Sequence, residues 1–162
     1  MSSSTVVKND CDGSLVLASS GGAVSCTARF VNGDLSIDNL AEGHREVEAY
    51  ESRGAITSVR KAGRKNPTVS FSVQVAEHTS ASANDVIDAC YKKGAFVAAT
   101  STIAGADVWG LDMTFTVEGT DRGDGADHTV TITGFHPEFA YKEGRPNTVS
   151  VSGTVYGTVT FG

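Results

Sequence analysis

Few side chains in this sequence have the types and spacing that chemistry needs. The four histidines are His44, His78, His128 and His136, and none has a second histidine four residues on, so no helical zinc site is spelled out. His128 follows Asp127 and could serve as a general base with its orienting carboxylate. Such pairs are set by space rather than by adjacency, and an ordinary loop histidine is the preferred reading. The cysteines, Cys11, Cys26 and Cys90, are odd in number and widely spaced. They fit neither a disulfide framework nor a zinc site, and read as buried or half-buried thiols in a reducing compartment. Cys90 falls late in an expected helix, where the dipole disfavours a thiolate, so it reads as packing rather than as a nucleophile. There is no Gly-x-Ser-x-Gly elbow and no Gly-x-x-x-x-Gly-Lys phosphate loop. The expectation is a protein that is not an enzyme and carries no metal or other cofactor.

Two charged clusters remain. Asp121, Asp124 and Asp127 lie in the Gly-rich loop 120–127, which also spells Arg122-Gly123-Asp124, an adhesion tripeptide. Calcium loops need acids at alternate positions and a distal Glu, whereas the spacing here is three. A solvated hairpin tip is preferred over a calcium or adhesion site. The second cluster, Arg60-Lys61-Ala62-Gly63-Arg64-Lys65, could touch phosphates or meet acids on another copy of the chain. Self-association ranks first, a solvated loop second and nucleic acid third.

The elements that must position these residues are mostly strands. From Thr148 to Phe161 the odd positions are Val, Gly or Phe and the even ones Thr, Ser or Tyr, the period-2 mark of a sheet with one buried face. Gly153 and Gly157 could bend this run into two strands. The pattern recurs over 68–77 and 112–118, and again from Val130 until Pro137 is expected to interrupt it. Shorter strands are expected over 14–19, 23–31, 35–38, 46–52 and 55–60, with Asn32-Gly33 a hairpin turn. One helix is expected over about 84–93. Ser82 or Asn84 would cap it, Val86, Ile87, Ala89 and Cys90 form its stripe, and Gly94 stops it.

Composition agrees. The 162 residues include 19 Val against 5 Leu and 5 Ile, which disfavours a helical bundle. No apolar run is long enough to span a membrane as a helix. The opening residues lack the basic and then apolar segments of a secretory signal. A net charge of −6 argues against tight binding of nucleic acid. The fold class expected is mainly β: an antiparallel β-sandwich or partial barrel with one flanking helix, forming a single domain over 1–162. Residues 1–10 are expected to be a flexible N-terminal segment, and 43–67 a long hairpin or loop.

The order of these features resembles a known family. A hairpin region from Glu46 to Gly54 leads through Ala55–Arg60 into the basic loop, the strand over 68–77, the single helix and the strand over 112–118. The chain closes on Glu143-Gly-Arg-Pro-Asn-Thr-Val-Ser-Val-Ser-Gly153. This resembles the tail tube (major tail) proteins of long, non-contractile-tailed bacteriophages, over most of residues 12–160. The resemblance implies a virion protein made in the bacterial cytoplasm. It implies hexameric rings whose inner strands join into one barrel, stacked into a tube through which double-stranded DNA passes unbound. It also implies partners among the tape-measure, tail-terminator and distal-tail proteins, and no membrane. On this reading Glu46, Glu48 and Asp112 are candidates for the lumen. Arg53, Arg60, Lys61, Arg64 and Lys65 are candidates for contacts between subunits and rings, within an inter-ring arm at 43–67. The alternatives are a carbohydrate- or surface-binding β-sandwich, for which one Trp and 7% aromatics are sparse, and the tube protein of a contractile tail or secretion apparatus.

Overall fold

A computed structural model describes residues 13–28, 33–75, 85–105, 107–119, 123 and 125–162. The expected flexible segment 1–10, His78, Cys11 and the Asn32 turn position lie outside the described residues, as do Asp121, Arg122 and Asp124. The strands are β1 (Ser14–Ala18), β2 (Ser25–Ala28), β3 (Ser36–Asp38), β4 (Arg45–Ser52), β5 (Ala55–Arg64), β6 (Thr68–Gln74), β7 (Leu111–Val117), β8 (His128–Lys142), β9 (Thr148–Val155) and β10 (Val159–Phe161). Eight of them form one antiparallel sheet in the order β2-β1-β7-β8-β9-β6-β3, with β10 also on β8, and β4 and β5 pair only with each other. The fold is therefore mainly β and antiparallel, with one α-helix and no closed barrel among the described residues.

The long strand β8 joins two wings. Its first part pairs with β7 and β10, and its second part pairs with β9 from Phe135 to Lys142. The wings change over at Gly134, whose φ of 68° favours glycine. A Cβ at Gly134 would press on the backbone of Gly157, and one at Gly153 would strike the carbonyl of His136. So Gly153 stays inside β9, and the expected bend falls at 156–158. Pro137 does not interrupt β8. Beyond Phe135 the strand is paired with β9 alone, and a residue without an N–H is tolerated where one edge is unpaired.

The alternation seen in the sequence sorts the side chains. Leu15 and Leu17, Leu111 and Met113, Val69, Phe71 and Val73, and Val149 and Val151 all enter one core around Phe135 and Phe96. The helix α1 (Val86–Tyr91) lies against β1, β2 and β8. Six helical residues are about 9 Å long, whereas seven strands side by side span roughly 30 Å. The helix does not cover such a sheet alone, and Phe96, Ala99 and Trp109 from the segment after it join the same core.

The helix runs over Val86–Tyr91, within the expected 84–93, and the expected caps Ser82 and Asn84 lie outside the described residues. Asp85 is its cap, accepting a hydrogen bond from the Ile87 N–H at 2.9 Å, and Lys92 rather than Gly94 takes the left-handed stop at φ 54°. The side chain of Asp85 competes for the first free N–H groups, and that fixes the start.

Candidate assembly surfaces

The hairpin β4–β5 stands apart from the body. Every residue of β4 is exposed, and in β5 only Ser58 and Ala62 are even half-buried. At about 3.3 Å per residue, β5 alone is roughly 33 Å long. Arg53 and Gly54 turn the chain with φ of 52° and 80°, the pattern of a type I′ turn that suits the twist of a hairpin. This arm carries large apolar side chains into solvent: Val47 is 67% exposed, Ile56 64% and Val59 59%. An isolated two-stranded hairpin is marginal in water, so such an arm gains stability from whatever covers it.

The base of the arm is fastened to the body. Arg64 Nη2 donates to the carbonyl oxygens of Tyr156 (2.7 Å) and Gly157 (3.1 Å), and its Nε donates to Asn66 Oδ1 at 2.7 Å. Lys61 Nζ donates to Glu42 Oε1 at 2.9 Å, and this hydrogen bond, with the lysine's charge, holds the Glu42 carboxyl below its usual range. The Lys65 N–H donates to the His44 carbonyl at 2.8 Å. Arg64 was expected as a contact to a neighbour; within the chain it is the clamp between the arm and the β9–β10 corner.

The expected basic loop at 60–65 is mostly strand. Arg60, Lys61 and Arg64 belong to β5, Lys65 follows it, and Arg53 is at the tip. The lumen candidates do not come together. Glu46 and Glu48 stand on the arm, whereas Asp112 is a half-buried residue of β7 whose Oδ1 accepts from the Gly134 N–H at 3.1 Å. Asp112 thus satisfies a backbone donor at the bend of β8.

The alternation in the sequence already implied a sheet with one apolar face and one face of small polar side chains, and the structure gives that polar face its rows. Ser36, Ser70, Ser152 and Glu138 form one cross-strand row over β3, β6, β9 and β8. On the other wing Thr27, Val16, Thr114, Thr131 and Thr160 form another. Alternation marked the polar face, but which strands lie side by side across it depends on sheet order, which the pattern does not encode.

Several of the chemistry-bearing residues are buried or hold backbone groups. Cys26 and Cys90 are free thiols inside the core. Burial chiefly, then the carboxylate of Asp85, pushes Cys26 up to about 12, and burial drives Cys90 upward as well. Neither is poised as a thiolate at neutral pH. His136 Nδ1 lies 2.7 Å from the Trp109 carbonyl, and Asp127 Oδ1 accepts from the Gly119 N–H at 3.0 Å. Among the described residues, no three His, Cys, Asp or Glu side chains gather as a metal site.

Neither a family model nor a curated protein matches the sequence. The fold does match a solved structure. It is similar to the sheath/tube terminator of PVC, an extracellular contractile injection system, in its extended state, with a TM-score of 0.55 at 10% identity. The match covers 91% of this chain and 92% of that one. At that identity the likeness concerns the fold.

Proposed function

We propose that this protein is a structural subunit of a phage-tail-like assembly and acts by joining copies of itself into a ring. The observation that carries this reading is the near end-to-end fold likeness to a tube terminator. The exposed apolar arm supports it, because a monomer leaves that surface uncovered. In the finer form of the reading, rings are hexameric and stack into the tail tube of a long non-contractile tail, with DNA passing through.

The wall of that channel would be the outer Ser/Thr face of the large sheet. Short polar side chains offer phosphates neither cations nor apolar grip, so DNA would slide. Asp112 lies on this face, while Glu46 and Glu48 belong to the arm. A second reading has specific support from the same likeness: the neighbour is a terminator, so this chain would close a tube with one ring rather than build its length.

Electron microscopy of purified protein tests both. Open tubes of stacked rings are the expected result for a tube subunit. Single rings that never stack would favour the terminator. Monomers at every concentration and salt would overturn the assembly reading.

A further inference from the structure

The arm's charges are largely sorted by strand. β4 carries Glu46, Glu48 and Glu51 with a single base, Arg45, at its root, whereas β5 carries Arg60, Lys61 and Arg64 and no acid. Glu48 and Arg60 are direct cross-strand partners, the position at which opposite charges usually join. Here they do not pair. Tyr50 Oη donates to Glu48 Oε2 at 3.0 Å, and Arg60 Nε donates to Ser58 Oγ at 3.3 Å, so each charge is held by a neighbour two residues away on its own strand. Among the described residues, the arm's one ion pair is Lys61 with Glu42, outside the hairpin. The result is a two-stranded sheet with a net acidic strand and a basic strand, each with one edge that pairs with no other strand among the described residues.

We infer that the arm is a connector between copies of this chain, in which the free edge of β4 adds to the free edge of β5 of the next copy. This rests on the assembly reading above and names the surfaces that would join. Unpaired strand edges bind other strands, and the charges on them select which. Two β4 edges would set acid against acid and two β5 edges base against base. Only β4 against β5 brings opposite charges together. With hairpins pointing the same way, every strand in the extended sheet is antiparallel to its neighbours. The contact is head-to-tail, so it closes into a ring when the rotation allows. The apolar side chains Val47, Ile56 and Val59 would then meet those of adjacent arms in a continuous strip.

Complementation by charge reversal tests this. One variant carries Glu46→Lys and Glu48→Lys, which makes both strands basic. The other carries Arg60→Glu and Lys61→Glu, which makes both acidic; it also parts Lys61 from Glu42, so Glu42→Lys is added to restore an opposite charge there, and Arg64 is left in place as the clamp. Sedimentation velocity at low salt is expected to show each variant assembling at least about tenfold more weakly than the parent. An equimolar mixture should regain rings of alternating copies, which requires an even number of subunits. An arm that had merely unravelled would not be rescued, so the mixture separates misfolding from repulsion. Parent-like assembly by either variant alone, or a mixture that stays dissociated, would overturn the connector while leaving the assembly reading intact if the parent forms rings. A parent that stays monomeric throughout would overturn both.

Discussion

The arm β4–β5 and the strands β6 and β9 of the body are built from similar residues with opposite results. Val47, Ala49 and Val59 alternate with charged residues on the arm, as Val69, Phe71 and Val73 alternate with Ser and Gln in β6. The body residues are buried in the shared core, while the arm residues face water. Alternation therefore specifies a two-faced strand but not what covers its apolar face. In the body that cover is the same chain. For the arm it must come from elsewhere or be absent, and that difference separates a folding surface from an assembly surface.

The sharpest way to break this comparison is to truncate one apolar residue in each region. Phe135→Ala removes a ring with 0% exposure from the centre of the core, and should cost about 3–5 kcal/mol of stability. Val59→Ala on the arm should change the unfolding free energy of the dissociated chain by less than about 0.5 kcal/mol. Denaturant unfolding of both variants under dissociating conditions measures the contrast. Equal losses would mean that the arm is covered within its own chain. The same valine substitution should weaken ring formation, which unfolding of the monomer does not report.

Much of the body was legible because burial and period coincide there. The expected strands at 14–19, 68–77, 112–118 and 148–161 match β1, β6, β7 and the β9–β10 pair to within a few residues. Pro137 was misread because a proline signals a break only where both edges of a strand are paired, and edge pairing is a property of the sheet. The basic stretch 60–65 read as a loop because Lys, Arg and Gly disfavour buried strands. A solvent-exposed hairpin does not impose that penalty. Arg64 was legible as a charge, but its targets, the Tyr156 and Gly157 carbonyls, lie some ninety residues away and are backbone atoms with no signature in side-chain pattern.

That clamp gives the second prediction. Arg64→Ala removes the donor to two carbonyls at the root of the arm, on the exposed surface. Surface ionic groups contribute little to global stability, so the unfolding free energy should fall by less than about 1 kcal/mol. Amide exchange in the last residues of β5 should nevertheless quicken, because local opening there no longer breaks the clamp. Lysine, with a single point of charge in place of a planar fork, should restore the exchange rate only in part. A uniform rise in exchange across β6 and β9 would instead place Arg64 in the stability of the body.

The smallest effect concerns the second fastening, Lys61 with Glu42. The lysine hydrogen bond, followed by its charge, lowers the Glu42 carboxyl from 4.5. A carboxyl held lower when folded than when unfolded stabilises the fastened form above the unfolded value, and the benefit is lost as pH falls through the lowered one. Amide exchange near Gly43 and Lys61, corrected for its intrinsic pH dependence, should therefore show protection that is constant at neutral pH and declines only below about 4.5. Glu42→Gln should remove that acidic dependence and leave exchange in the core strands unchanged. Because the pair is exposed, added salt should mimic much of the loss at neutral pH. Protection that stayed constant as pH fell well below 4.5 would overturn the fastening by Lys61 and Glu42.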